Sequence, residues 1–183
     1  MKENMQDKIE KVLVSEEELK AKVTEIGAQI SKDFEGKRPI LVSVLKGSIV
    51  FMADILRALT IECDIDFMSC SSYGKSSKSS GVVRILKDLD NDINGRHVIV
   101  IEDILDSGLT LSYILDLLQK RGAASISLCT LLDKPGRRTL DIKVDYRGFT
   151  IPNEFVVGYG LDYGELYRNF PYIGVLKPEV YSK

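Results

Sequence analysis

With 183 residues the chain is long enough for one domain with a sizeable core. Its 25 lysines and arginines nearly balance 27 aspartates and glutamates, a net charge of −2 with no basic tail, which excludes a nucleic-acid binder that works by bulk electrostatics. Three cysteines, Cys63, Cys70 and Cys129, are odd in number and lack paired metal-ligand spacing, which argues against a disulfide framework or a zinc site.

Residues 1–8 are charged and contain no apolar signal core, and no later run approaches membrane-spanning length, so the chain is expected to be soluble and cytoplasmic, with no membrane partner. Ser15-Glu16-Glu17-Glu18 reads as a capping box, and Leu19, Val23, Ile26 and Ile30 mark the apolar stripe of a helix ending near Gly36. Pro39 to Leu45 reads as a buried strand, after which Lys46-Gly47-Ser48 turns into an apolar helix running to about Leu59. In the next stretch Ile61, Cys63, Ile65 and Phe67 alternate with Glu62, Asp64 and Asp66, which predicts a strand near a sheet edge with its acidic residues on a wet face.

From Ser69 to Gly81 the chain is rich in serine, glycine and lysine, with too little apolar surface to hold itself against a body. Strand-like residues resume at Val82 to Leu86, so a lid over about residues 69–82 fits better than an interdomain linker. Asn94-Gly95 then supplies a turn.

The most informative stretch is Val98 to Thr110. Four apolar residues are followed by Glu102-Asp103, two more apolar residues, and Asp106-Ser107-Gly108-Leu109-Thr110 opening an amphipathic helix to Arg121. The only histidine, His97, stands at the entry of this strand, a poor place for the base of a Ser-His-Asp or Cys-His hydrolase. A helix amino terminus offers unpaired N–H groups and a positive dipole end that suit a phosphate. Three acids within five residues repel one another unless they bind cations or accept from hydroxyls. A sugar phosphate satisfies both conditions, with its phosphate on the amides of Ser107 to Thr110, its hydroxyls on Glu102 and Asp103, and Mg²⁺ offsetting the negative charge.

Beyond that helix, Gly122 is a stop signal and Ala124 to Leu132 reads as another apolar strand with Lys134 just past its carboxyl end. Phe155 to Tyr163 offers an aromatic residue, an apolar stretch and Asp162, with Arg168 six positions on. Gly158 and Gly160 are not followed by the third glycine of a dinucleotide fingerprint, and no Walker A sequence occurs.

The acidic turn resembles the phosphoribosyl pyrophosphate (PRPP) signature of type I phosphoribosyltransferases. From about residue 10 to 180 the chain is similar to bacterial hypoxanthine-guanine phosphoribosyltransferases, in the loops beginning at Leu45, Ser72 and Glu102 and in the run from Lys134-Pro135 through Ile151-Pro152-Asn153-Glu154-Phe155-Val156-Val157-Gly158-Tyr159 to Arg168. The resemblance implies an α/β fold in a single domain, a PRPP-type core with a mainly parallel sheet flanked by helices and a small hood built from the amino-terminal residues and about residues 150–183. It implies transfer of 5-phosphoribosyl from PRPP to a 6-oxopurine, with Asp106 as general base and Glu102 to Thr110 on the ribose phosphate. Lys46 and Gly47 would hold pyrophosphate with Arg168, on a turn that in this family often carries a cis Leu-Lys peptide, while Ser72 and Tyr73 would belong to the closing loop. Lys134 would donate to the purine oxygen, Phe155 would stack on the ring and Val156 would read its edge. Asp162, Glu102 and Asp103 would ligate two Mg²⁺ ions, one brought with PRPP. A homodimer or homotetramer is also implied. Leu109 departs from relatives with lysine there, leaving the backbone amides to do more for the phosphate. Two other readings remain, a PRPP-sensing regulator of the same fold and a transferase for another base such as xanthine.

Overall fold

The computed structural model describes residues 4–72 and 83–182. Its six-stranded sheet contains β2 (Ile40–Leu45), β3 (Asp64–Ser72), β4 (Val83–Lys87), β5 (His97–Leu105), β6 (Ser125–Asp133) and β7 (Tyr146–Thr150). The order is β4-β3-β2-β5-β6-β7, parallel throughout except for β4, which pairs antiparallel with β3 at one edge. β1 (Ile9–Val14), β8 (Val156–Val157) and β9 (Ile173–Leu176) form a separate antiparallel sheet in the order β1-β9-β8.

The alternation of side chains along β2 and β5 sorts the helices onto two faces. Leu41, Ile99 and Ile101 pack with α1 (Glu16–Asp33) and α2 (Ile49–Ala58), whereas Ile40, Val42, Val98 and Val100 pack with Leu111, Ile114 and Leu118 of α3 (Leu109–Lys120). Each of these strand residues is fully buried, a contribution of roughly 1.5–3 kcal/mol per large apolar side chain. A strand wetted on neither face needs a continuous apolar run, the pattern that Val98 to Ile101 supplies. The capping box forms as predicted: Glu18 N–H donates to Ser15 Oγ at 3.2 Å and Ser15 N–H to Glu18 Oε2 at 2.8 Å. Among the described residues no helix is long and apolar enough to cross a membrane.

Two expectations need correction. The segment around Asp66 has the opposite phase: Ile65 is 43% exposed, whereas Asp66 is 2% exposed and Met68 is fully buried. Hydrogen bonds override the hydropathy pattern here. The Asp66 carboxylate accepts from the backbone of Phe67 at 2.7 Å and of Asp90 and Asn91 at 2.9 Å each, and from the Asn91 side chain at 3.0 Å. Residues 69–72 of the expected lid are strand, paired with β4 from Ser69↔Lys87 to Ser72↔Val83. The rest of that lid, Tyr73 included, lies outside the described residues.

Candidate active site

The carboxyl ends of β2, β5 and β6 carry Lys46, the acidic turn and Lys134, while Phe155, Val156, Asp162 and Arg168 come from β8 and the segments beside it. β5 runs to Leu105, so Glu102 and Asp103 lie within its carboxyl-terminal end, and Asp106-Ser107 makes the turn. Gly108 stands at the N-cap of α3 with φ +84°, and a side chain there would run into Ile142 at 2.8 Å. Gly108 has no side chain with which to cap this helix, and the Leu109 N–H donates to Ser107 Oγ at a long 3.5 Å, a weak bond that a bound anion at the helix start would displace. Glu102, Asp106, Ser107, Gly108 and Thr110 line a cleft of about 140 Å³ at this terminus, while Leu109 lies outside it, 36% exposed.

Next to the cleft, and sharing Ile104 and Asp106 with it, is a cavity of about 490 Å³ lined by Asp103, Lys134, Phe155, Val156 and Asp162 among others. Lys134 is 8% exposed, and its Nζ donates to the Glu154 carbonyl at 2.7 Å. Burial lowers its pKa from the ordinary lysine range, partly opposed by Asp106. Its backbone N–H donates to the Leu105 carbonyl at 2.9 Å, tying the end of β6 to the end of β5. The Phe155 ring stacks on Tyr181 at 4.8 Å between centroids and meets Tyr163 edge-on at 5.5 Å.

The Glu102 and Asp103 carboxyls both lie above the usual carboxylate range. Burial is the main cause for each, and for Glu102 the neighbouring Asp103 adds to it. Asp103 is pushed up to about 6. Glu102 Oε2 is buried without a hydrogen-bond partner, a costly state that a cation or hydroxyl would relieve. No three acidic, cysteine or histidine side chains form a ready-made metal cage among the described residues. Mg²⁺ typically takes one or two carboxylates together with phosphate oxygens and water, so this donor set fits an ion arriving with its substrate.

The turn from β2 to α2 reaches the same rim. The Leu45–Lys46 peptide is cis, and Gly47 lies so close to Asp103 Oδ2 that a Cβ there would stand 1.6 Å from it. Lys46 Nζ lies 3.1 Å from Glu165 Oε2, and Arg168 Nη2 contacts the same oxygen at 3.2 Å. Arg168 Nη2 also pairs with Asp162 Oδ1 at 2.9 Å. Lys46 and Arg168, far apart in sequence, are thus joined through one carboxylate. Ser72 is the last residue of β3.

Sequence reasoning missed several contributors, Glu165 among them. Ile104 contributes apolar wall to the cavity, and its spacing within the acidic motif was a usable signal. Arg137 places Nε 2.7 Å from Asp106 Oδ1, and Tyr181 covers Phe155. Nothing local in the sequence marks either contact, because each joins segments brought together only by the fold.

An α/β sheet whose strand ends bring a helix start and its small cleft beside a cavity of convergent charged and aromatic side chains is the setting in which the family match falls. The family model described as phosphoribosyl transferase domain matches residues 12–164, and the chain belongs to that family. Over 178 residues it is 55% identical to the hypoxanthine-guanine phosphoribosyltransferase of Bacillus subtilis (strain 168), with 97% of this chain and 99% of that protein covered. It is also 55% identical over 181 residues to the bifunctional protein TilS/HprT of Listeria monocytogenes serotype 4b (strain F2365); the match takes in 99% of this chain but only 28% of that relative's length. The crystal structure of a hypoxanthine phosphoribosyltransferase from Staphylococcus aureus superposes with a TM-score of 0.96 at 50% identity, covering 100% of both chains.

Proposed function

We propose that the protein is a purine-salvage enzyme that transfers 5-phosphoribosyl from PRPP to hypoxanthine or guanine, giving IMP or GMP and pyrophosphate. The observation that carries this reading is the meeting of Asp106, Lys134, Phe155 and Asp162 around one cavity beside the amino-terminal start of α3. The amides from Ser107 to Thr110 hold the 5-phosphate, and Glu102 and Asp103 hold the ribose hydroxyls and would be the carboxylates that hold Mg²⁺. The purine lies against Phe155, with Ile104 as apolar wall; Lys134 gives up its bond to the Glu154 carbonyl and donates to the six-position oxygen, and the Val156 backbone reads the ring edge. Asp106 accepts the proton of the imidazole nitrogen as the new bond to ribose forms. Lys46, the Gly47 backbone and Arg168 receive the departing pyrophosphate. Two Mg²⁺ ions, one entering with PRPP and one held with Asp162, would neutralise charge on the pyrophosphate. A cytoplasmic homodimer or homotetramer is consistent with this role.

A steady-state assay with PRPP and Mg²⁺, offering hypoxanthine, guanine, xanthine, adenine and uracil separately and following pyrophosphate release, tests the reading. Turnover of hypoxanthine or guanine that stops when Mg²⁺ is chelated is the expected result. PRPP binding without turnover of any base would point to a sensor of the same fold.

A further inference from the structure

Leu109 leaves the turn from Asp106 to Thr110 without a cation of its own, although Glu102, Asp103 and Asp106 already crowd carboxylates beside the proposed phosphate seat. The fold brings one from another segment. Arg137 ends the short 3-10 turn Pro135–Arg137 that follows Lys134, and its Nε donates to Asp106 Oδ1 at 2.7 Å. Hydrogen bonds to backbone carbonyls hold the two segments together on either side of this pair. Lys134 N–H donates to the Leu105 carbonyl at 2.9 Å, and the N–H and hydroxyl of Thr139 donate to the Ser107 carbonyl at 3.1 and 3.0 Å.

Its neighbour Arg138 does different work. Arg138 pairs with Asp133, whose side chain is 1% exposed, whereas the Arg137 and Asp106 side chains are 49% and 39% exposed. A pair that open to water adds little to stability, yet Arg137 lines the same cavity as Asp106 and Lys134. Nε engages only one carboxylate oxygen. The other remains for a substrate proton, and Arg137 makes no other side-chain hydrogen bond among the described residues.

We propose that Arg137 is a positioning residue for Asp106: it fixes Oδ1, leaves Oδ2 to face the purine nitrogen, and offsets the carboxylate charge that would otherwise oppose the neighbouring phosphate. The inference rests on the phosphoribosyl-transfer reading above. It gives a cationic role to a residue twenty-eight positions beyond Leu109, in place of a lysine within the turn itself.

The test is a double-variant cycle with PRPP, Mg²⁺ and hypoxanthine, using the native chain, Arg137→Gln, Asp106→Asn and the double variant. Arg137→Gln is expected to lower kcat roughly 10-fold, the scale of one charge-assisted hydrogen bond, with the KM for hypoxanthine changed by less than about twofold. In the Asp106→Asn background the same change is expected to cost less than about twofold, because no carboxylate base is left to position. Arg137→Lys keeps the charge without the planar guanidinium and recovers only part of the loss. Thermal melting of each variant at the native temperature separates these effects from misfolding. Losses that multiply would place Arg137 on the substrate instead of on Asp106, and an unchanged kcat would give it no part in turnover; either overturns the inference. Absence of turnover by the native chain with every base would instead remove the phosphoribosyl-transfer reading, and the inference with it.

Discussion

Asp106 stands where two demands meet: its carboxylate borders both the cleft at the start of α3 and the larger cavity with Lys134 and Phe155. Replacing it with asparagine keeps the shape and removes the proton acceptor, so Asp106→Asn should lower kcat by roughly 10²–10⁴-fold, the range for a positioned general base, with melting temperature unchanged. Unaltered turnover would take the base role away from Asp106. Glu165 presents the opposite situation, a carboxylate seated between the two cations proposed for pyrophosphate. It bridges Lys46 and Arg168, and these contacts, the Lys46 hydrogen bond foremost, hold its carboxyl below the usual range. If these two cations receive pyrophosphate, Glu165 must release them when PRPP binds. Glu165→Gln should therefore lower the KM for PRPP by about 2–5-fold, the worth of an exposed ion pair, with kcat little changed. A raised KM would show that Glu165 helps to hold the substrate.

Within single elements, legibility in the sequence followed the range of the interaction. The capping box of α1 and the buried run of β5 depend on neighbours within a few positions or on burial of both sheet faces, and both were readable. The phase of β3 was not readable, because Asp66 answers to backbone donors at positions 90 and 91. Desolvation raises the Asp66 pKa, but the hydrogen bonds from Phe67, Asn91 and Asp90 outweigh it and leave the carboxyl below its ordinary value of 3.8. Asp66→Ala leaves several of those donors without a partner and should destabilise the chain by roughly 2–4 kcal/mol in denaturant titrations near neutral pH. The sign of the pH dependence follows from the lowered pKa. The stabilisation is fully present above about pH 4, the unfolded value, and is lost as pH falls through the lower folded value. Native and variant stabilities should thus converge in acid; a gap that instead closed toward high pH would contradict this account.

Across the whole molecule, the six-stranded sheet presents the groups proposed for the 5-phosphate, the ribose and proton transfer, whereas the small sheet β1-β9-β8 and its connections supply the aromatic surface of the cavity together with Asp162 and Arg168. Phe155 immediately precedes β8, and Tyr181, at the end of the short helix α4 (Pro178–Tyr181) that follows β9, stacks on it at 4.8 Å and 22°. The two rings are twenty-six residues apart in sequence, which is why the motif around Phe155 gave no hint of the second ring. Lys11 on β1 adds another tie, pairing with Glu154 Oε1 at 2.7 Å next to the carbonyl that Lys134 occupies. If this division of labour is right, disturbing the aromatic surface should separate purine binding from PRPP binding. An aromatic pair contributes about 0.5–1.5 kcal/mol beyond its burial, so Tyr181→Ala should raise the KM for hypoxanthine about 2–12-fold while leaving the KM for PRPP within about twofold. Tyr181→Phe, which keeps the ring and discards the hydroxyl, should behave as the native chain. A matching rise in both KM values would mean that Tyr181 supports the entire rim, and the two sheets would then have to be treated as one binding unit.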